Sequence, residues 1–505
     1  MLPSSMAFIR HVVLITFILT IILTSVYFHK SIKPIQQDDL LNQVKQHKKQ
    51  HQTSTSCDLV DMQWLAADRH YWDGWADRAM FVRPDGIFTQ GNVYVEQGQD
   101  ICAVVLLGPT PAISSIKPEK HFGPPDSIVM FALGEKTKVT VQLEQHSIQP
   151  NVYYASLSLP PDRYQLKAIN EYRSYFWETP IYHKYRPYEY ASFNNLTIQK
   201  KAVVGSKSVL PLCDLKNKTM PSLQGAWVES GHYEQLEPDQ FYQMFENSQQ
   251  DYMVEDRVFV PDQCRLEYIS AGSGARCLGQ KKVHVWGDVN IKRNLKALDP
   301  TRQWCHLDSI NSITDEKQRK EALKCDCHDT NDGYAWETDP TTPLRMGDSF
   351  NIDAHFYYNE LNAISFTSLA KTIQTGASLL PEADVVLVGV GNLDIKEIRI
   401  SPDHFIKAFH QLLVDFRKIY PKQTLIVRSS QYFCCGTLWG TSWNTGRGYA
   451  FYQIIKEMVD TFDNVLLWDT YSIGNEDSFC HAEETSLSRR NVVNVENQLL
   501  WHLLC

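Results

Sequence analysis

Polar residues follow four apolar runs in the second half of the chain, each at the point where a run ends. They are Gly287-Asp288, Gly391-Asn392, Arg428-Ser429-Ser430 and Asp469. An uninterrupted Val/Leu run such as 385–390 is typical of a strand buried on both faces of a parallel sheet. Ligands bind beyond the carboxyl ends of the strands in such sheets. We therefore predict that these polar residues meet at one edge of a sheet, where they could bind a ligand or act on it.

Helical patterns alternate with these strands. Ser401-Pro402 offers an N-cap followed by a proline at the first helical position. The apolar stripes of three predicted helices are Phe405, Phe409, Leu412 and Phe416; Tyr452, Ile455, Val459 and Phe462; and Val492, Val495, Leu499 and Leu503. The alternation of strand and helix predicts a doubly wound α/β domain over residues 206–505.

Residues 57–205 have a different pattern, with short apolar runs separated by turn residues. Candidate strands lie at 93–95, 101–107, 128–133, 139–143, 153–159 and 164–168. Several short strands at this spacing favour a β-sandwich of the immunoglobulin-like kind. The tryptophans at 64, 72 and 75 are interpreted as packing residues rather than as a binding site.

Composition excludes several classes of protein. The 505 residues are 43 % hydrophobic and 21 % charged, which is typical of a folded globular chain. A net charge of −9 with scattered basic residues argues against a nucleic-acid partner. The sequence has no phosphate-binding loop, dinucleotide fingerprint or metalloprotease helix, so no cofactor is expected. It leaves the oligomeric state open.

The N-terminus predicts a membrane anchor. Residues 12–28 are apolar apart from Thr and Ser, and as a helix they would span about 26 Å, close to the minimum for a bilayer. We predict a cytosolic tail at 1–11, a transmembrane signal-anchor at 12–28 and a stem at 29–56. A cleaved signal peptide is the alternative.

Cysteines and glycosylation sequons predict the side of the membrane on which the body lies. All 12 cysteines follow residue 56, an even number that fits up to six disulfides in an oxidising compartment. Asn195-Leu-Thr and Asn217-Lys-Thr are glycosylation acceptors if the body is lumenal. The prediction is a single-pass type II protein, lumenal in the endoplasmic reticulum or Golgi or facing the cell exterior.

Short motifs leading into Asp288 resemble a known family. Gly225-Ala-Trp-Val, Pro261-Asp-Gln-Cys, Cys277-Leu-Gly and the strand ending at Gly287-Asp288 are similar to the start of PC-esterase domains, which belong to the SGNH/GDSL superfamily. Such domains occur in the NXPE family, in the sialate O-acetyltransferase and in plant polysaccharide O-acetyltransferases. A β-sandwich preceded by an anchor is also similar to the NXPE layout, so the resemblance covers about residues 57–505.

The resemblance implies a site for acetyl transfer whose nucleophile is missing. Family members carry a serine nucleophile after Gly-Asp, an oxyanion site that includes an Asn or Gly, and a late Asp-x-x-His pair. Here Asp288 matches the family's Asp, while Val289 stands at the serine position. Asn392 fits the oxyanion asparagine, and His481 with Asp477 fits the late pair at a spacing one residue longer.

Gly287, Arg428 and Ser429 are expected to line the binding cleft. Other residues of the sequence could in principle act as the nucleophile. Gly347-Asp-Ser349 matches the letters of the motif, but no strand precedes it and no clear helix follows it. Ser429 and Ser430 stand at a predicted strand end, and Cys434-Cys435 would more often form disulfides in an oxidising lumen.

The segment Cys325-Asp-Cys-His-Asp329 contains residue types that can bind a metal. It lacks a second ligand pair at a matching spacing, so no metal is predicted.

Three functions follow from these patterns. The leading hypothesis is a membrane-anchored lumenal protein with a glycan or glycoprotein ligand, whose SGNH-like domain has lost serine acyl transfer and binds a glycan or supports a partner enzyme. The first alternative is an active O-acetyltransferase or esterase with a non-standard nucleophile, or with Asp288 and a water. The second alternative is a structural adhesion or cell-wall assembly protein.

Overall fold

The structure is a computed structural model of the 505-residue chain. The chain divides into two units, residues 1–52 and 53–505, and every residue described below lies in the second. The described residues are 56–61, 78–107, 126–149, 151–172, 188–190, 192–201, 210–217, 223–244, 257–269, 271–298, 314, 335–346, 354–361, 363–364, 368–396, 400–430, 432, 445–474 and 490–505.

Two β-sheets form the first half of this unit. Their strands are β1 (Arg78–Phe81), β2 (Val93–Glu96), β3 (Ile101–Leu106), β4 (Ser127–Leu133), β5 (Thr137–Val141), β6 (Glu144–Gln145), β7 (Val152–Leu157), β8 (Arg163–Tyr172), β9 (Tyr188–Tyr190), β10 (Asn195–Gln199), β11 (Gly225–Glu229) and β12 (Arg257–Pro261). The smaller sheet has the order β1-β3-β7-β6. The larger has the order β12-β11-β5-β4-β8-β10-β2, with β9 on β8.

The two sheets pack face to face around one apolar core. Alternate residues of β2 and of β5 are buried, as expected for strands with one face on the core. Ala103 and Val105 of the smaller sheet share that core with Met130 and Leu166 of the larger. The predicted strands at 93–95, 101–107, 128–133, 139–143, 153–159 and 164–168 are confirmed as strands β2, β3, β4, β5, β7 and β8.

The larger sheet continues past residue 205. β11 pairs antiparallel with β5 through Trp227 and Val228, and β12 pairs antiparallel with β11 along five residues. β10 also runs parallel to β2. Strands on both sides of residue 205 therefore share one sheet, and the boundary there and the immunoglobulin-like topology stay predictions.

A third sheet forms the α/β part of the unit. Its strands are β13 (Lys282–Gly287), β14 (Leu344–Met346), β15 (Ala354–Glu360), β16 (Val385–Gly389), β17 (Thr424–Arg428) and β18 (Val465–Trp468), in the order β14-β15-β13-β16-β17-β18. The strands from β15 to β18 are parallel, and β14 is an antiparallel edge strand. This confirms an α/β fold with a mainly parallel sheet.

Helices connect and flank these strands. Those of the described residues are α1 (Ser230–Leu236), α2 (Pro238–Met244), α3 (Ala271–Leu278), α4 (Val289–Leu298), α5 (Ala335–Thr338), α6 (Ala370–Ser378), α7 (Asn392–Lys396), α8 (Pro402–Ile419), α9 (Thr445–Thr461) and α10 (Arg490–Leu504). Ser401 caps α8 as predicted, because its hydroxyl accepts a hydrogen bond from the His404 amide. Phe405, Phe409 and Phe416 of its predicted stripe are buried.

The structure does not support the predicted N-terminal transmembrane helix. Among the ranges that the structure describes, no helix is both long enough and apolar enough to cross a membrane. The predicted segment 12–28, with the tail and nearly all of the stem, lies outside those ranges. The anchor and the type II location assigned from the apolar run of residues 12–28 are therefore withdrawn.

Three disulfides are present among the described cysteines. Cys57 pairs with Cys102, Cys213 with Cys264, and Cys277 with Cys505. The remaining cysteines, at 305, 325, 327, 434, 435 and 480, lie outside the described residues.

Candidate functional site

The ends of four parallel strands lie in one row, as the sequence predicted. Gly287 of β13 is the register partner of Gly389 of β16, Gly389 that of Arg428 of β17, and Arg428 that of Trp468 of β18. The residues directly after these positions therefore follow adjacent carboxyl ends of one sheet. This row is the candidate site.

Asp288 acts as the N-cap of α4. Its Oδ1 accepts a hydrogen bond from the Asn290 amide at 2.9 Å, and its carbonyl accepts from the Lys292 amide at 3.2 Å. Its other carboxylate oxygen, Oδ2, accepts from Asn392 Nδ2 at 2.8 Å. The side chain is 0 % exposed. Burial raises the pKa of Asp288, and the hydrogen bond from Asn392 and the charge of Arg428 oppose that shift.

Close backbone packing explains the glycine before Asp288. A Cβ at Gly287 would lie 2.3 Å from the Gly389 carbonyl oxygen and 2.6 Å from the side chain of Ile291. Only glycine allows α4 to start this close to the neighbouring strand. Val289, at the position of the family's serine, is the first residue of α4 and is partly buried.

Arg428 lies at the centre of a buried polar network. Its Nη2 contacts Glu496 Oε2 of α10 at 3.0 Å, and its Nε donates to Asn294 Oδ1 of α4 at 2.9 Å. Asn294 Nδ2 donates to the same Glu496 oxygen at 2.8 Å. Trp468 Nε1 donates to the Glu496 carbonyl at 2.7 Å. Arg428 and Glu496 are 1 % and 0 % exposed, so this network joins two helices to the sheet from inside.

Ser429 and Ser430 form hydrogen bonds with the backbone. The Ser429 hydroxyl oxygen accepts from the amides of Thr470 at 3.0 Å and Tyr471 at 2.9 Å, which ties the end of β17 to the turn after β18. Ser430 Oγ donates to the Gly448 carbonyl at 3.1 Å. Both side chains are buried.

The larger β-sheet holds the turn that follows β18. Thr140 Oγ1 donates to the Gly474 carbonyl at 2.7 Å, and Trp227 Nε1 donates to the Ile473 carbonyl at 3.1 Å. Asp469, at the end of β18, accepts from Tyr452 Oη at 3.0 Å. The strand-end edge near β18 is thus in contact with β5 and β11 of the larger sheet.

A buried carboxylate strengthens this contact at the start of α9. Glu171 of β8 accepts hydrogen bonds from the Thr445 amide at 3.0 Å and the Ser127 hydroxyl at 2.6 Å. Ser127 Oγ in turn accepts from the Gly446 amide at 2.8 Å. Burial raises the pKa of Glu171. The N-terminus of α9 is therefore capped by the larger sheet rather than by a ligand.

Several predicted site residues lie outside the described ranges. These are His481 and Asp477 of the late pair, Ser349, Cys434-Cys435 and the 325–329 segment. Of the predicted glycosylation acceptors, Asn217 is exposed, and Asn195 is partly exposed at the start of β10 with Nδ2 donating to Asn92. No group of three or more potential metal ligands occurs among the residues that the structure describes.

Glu496, Asn294 and Asn497 were not predicted from the sequence as site residues. Asn497 Oδ1 accepts from Asn294 Nδ2 at 3.1 Å and completes the network around Arg428. A signal for them existed: polar residues 496–498 interrupt a helix whose neighbours are apolar, and Asn294 precedes the buried Leu295. Buried polar residues on two helices are expected to contact a common partner.

The comparisons with known proteins show a weak likeness to solved structures. No protein-family model matches the chain, and no curated protein matches its sequence. Among solved structures, a carbohydrate acetylesterase family member from Sinorhizobium meliloti aligns with 44 % of this chain and 96 % of its own, at 12 % identity and a TM-score of 0.29. That score is too low to infer a shared fold.

Proposed function

We propose that the α/β part of this protein is an SGNH-type frame that has lost serine acyl transfer and has a non-catalytic role, either binding a glycan or supporting a partner enzyme. The motifs leading to Asp288, which resemble PC-esterase domains, support the link to glycans. The proposal does not depend on a membrane anchor.

The observation that carries the proposal is the bond between Asp288 and Asn392. In the family mechanism the asparagine amide would be directed to a developing oxyanion on the substrate. Here Asn392 Nδ2 donates to Asp288 Oδ2 at 2.8 Å, and both side chains are buried. The two residues therefore satisfy each other, and Val289, the first residue of α4, has no group that can attack a carbonyl.

The neighbouring hydroxyls support the same conclusion. Nucleophilic catalysis by serine needs a hydroxyl that can reach the substrate and a base that takes its proton. Ser429 instead accepts two backbone amides, and Ser430 donates to a backbone carbonyl. Neither has a described histidine or carboxylate as a hydrogen-bond partner.

Covalent labelling tests the proposal. The full chain is incubated with a biotinylated fluorophosphonate and, separately, with p-nitrophenyl acetate, with an active serine esterase as the positive control. We expect no adduct and no hydrolysis above that of a D288A variant. An adduct that tandem mass spectrometry assigns to one serine, with hydrolysis that D288A abolishes, would show an active acyltransferase or esterase and would refute the proposal.

A further inference from the structure

A cavity of about 300 Å³ lies on the β-sheet half of the unit, away from the strand ends of the α/β sheet. It is open to solvent on one side, and its lining includes the turn after β2, the segment between β7 and β8, helix α1 and the end of β12. Ligand pockets start at about this volume, so the space suffices for a small ligand or for one extended side chain.

Most of the cavity wall is apolar. Leu159, Pro160, Tyr233 and Val260 contribute to it. The backbone carbonyls of Pro160 and Tyr233 accept hydrogen bonds that hold these residues in place. Tyr164 Oη donates to the Pro160 carbonyl at 2.8 Å, and the Tyr233 carbonyl accepts from the Glu237 amide at 2.9 Å. Such a wall favours a ligand with an apolar body.

Two polar groups of the cavity, the Gln97 amide oxygen and the Asp262 carboxylate, are hydrogen-bond acceptors. Gln97 Nε2 donates to Glu237 Oε1 at 3.4 Å. The oxygen of the same side-chain amide, Gln97 Oε1, can still accept a hydrogen bond. This oxygen is buried and accepts no hydrogen bond from the residues that the structure describes. The carboxylate of Asp262 also lines the cavity and has no described hydrogen bond or ion pair, although the Asp262 backbone amide donates to the Gln224 carbonyl.

The charge at this cavity is negative. Its described lining includes Glu237 and Asp262 and no cationic side chain. Asp100 lies near Asp262, and burial together with that second charge raises the pKa of Asp262 to about 7. Lys200, near the rim, donates to the Leu236 carbonyl at 3.1 Å rather than to a carboxylate.

A buried acceptor without a donor, such as Gln97 Oε1, is costly and calls for an explanation in a native structure. A primary ammonium group supplies three donors and a positive charge, which is what a carboxylate and an amide oxygen can accept together. We propose that this cavity binds an alkylammonium group attached to an apolar body, with Asp262 as its counter-ion. The proposal concerns a site separate from the strand-end frame and is independent of the proposed function.

Two probe pairs test the proposal and distinguish the source of the amine. The first pair is 4-phenylbutylamine and its neutral isostere 4-phenyl-1-butanol, which represent a small-molecule ligand. The second is the blocked peptide Leu-Lys-Leu and its norleucine analogue, which represent a lysine side chain of a protein partner. Binding to the full chain is measured by calorimetry and by saturation-transfer NMR at pH 8, where Asp262 is ionised.

We expect at least one charged probe to bind about tenfold or more tightly than its neutral analogue, as charge-assisted hydrogen bonds require. D262N should abolish that difference, whereas D239N, a matched change at an exposed aspartate of α2, should keep it. Q97L provides a second variant in case D262N perturbs the fold. Equal binding of charged and neutral probes, or an unchanged preference in both D262N and Q97L, would overturn the proposal.

Discussion

The strand-end row and the cavity on the β-sheets both bury polar groups, but the chain satisfies them to different degrees. Asp288 and Arg428 at the strand ends find partners on three helices, α4, α7 and α10. At the cavity, the buried Gln97 Oε1 accepts no hydrogen bond from the described residues, and the partly exposed carboxylate of Asp262 has no described hydrogen bond or ion pair. The predicted site residues Asp288, Asn392 and Arg428 are buried and hydrogen-bonded, whereas the cavity, which no sequence motif marks, contains a buried acceptor without a described donor.

This difference has an energetic meaning. A buried polar group with all its partners contributes to the stability of the fold, whereas an unsatisfied acceptor lowers that stability until a ligand binds. Substitution should therefore have opposite effects at the two places. Removing a group from the strand-end row should destabilise the protein, and neutralising Asp262 should stabilise it.

The largest effect is expected for R428M. The substitution leaves the Glu496 carboxylate buried without its cation, and breaking a buried ion pair in this way costs roughly 3–5 kcal/mol of unfolding free energy. Urea denaturation of the full chain measures the loss. K136M is the control, because Lys136 pairs with Glu229 at the surface, where a pair contributes about 1 kcal/mol or less. Similar losses in both variants would contradict a structural role for the Arg428 network.

A smaller loss is expected for D288A. It removes the N-cap of α4 and the acceptor for Asn392, and losing such a cap costs about 1–2 kcal/mol. D288N should lose less, because its side-chain oxygen can still accept from the Asn290 amide. The same denaturation series gives both values. A D288A variant as stable as the wild type would mean that Asp288 is not held for structural reasons, and an active-site role would return.

The smallest effect is expected for D262N, with the opposite sign. The pKa of Asp262 is about 7 in the folded chain and near 3.8 in the unfolded chain, so the folded state binds the extra proton between these values. The Asp262 side chain therefore lowers the stability of the fold as the pH rises from about 4 to 7, because the folded state resists its ionisation. Below about pH 4 the side chain is protonated in both states and this loss is absent.

At pH 8, D262N should therefore be more stable than the wild type by about 1 kcal/mol, since partial exposure of the side chain to water weakens the effect. The gain should vanish at pH 4. Melting curves at the two pH values measure it. A D262N variant that is destabilised at pH 8 would place Asp262 with the structural residues, and the contrast between the two regions would fail.

The fold was predictable to the extent that it depends on apolar periodicity. The stripe of Phe405, Phe409 and Phe416 and the N-cap at Ser401 specify α8, and the Val/Leu run of β16 specifies a strand buried on both faces. The convergence of strand ends then follows from topology alone. The continuation of the larger sheet into β11 and β12 was not predictable, because the pairing of β5 with β11 joins segments far apart in sequence.

The chemistry of the strand ends was only partly predictable. The sequence marks Asp288, Asn392 and Arg428, but their hydrogen-bond partners depend on how helices pack. His284, inside β13, is another polar residue whose partner could not be predicted from the sequence. It contacts Tyr420 Oη at 2.9 Å, and burial lowers its pKa to about 4. The cavity had no sequence signal at all, because its lining comes from six separate stretches of the chain with no common motif.

The Cys277–Cys505 bond closes the α/β half of the molecule into a covalent ring. The two cysteines are 228 positions apart, and all six strands of the α/β sheet lie between them. Cys505 is thereby linked covalently to α3. Helix α10, which contains the Glu496 partner of Arg428, therefore stays tethered to the α/β half even if it separates from the sheet. A protease that cuts the backbone once anywhere inside this ring opens a loop but releases no fragment.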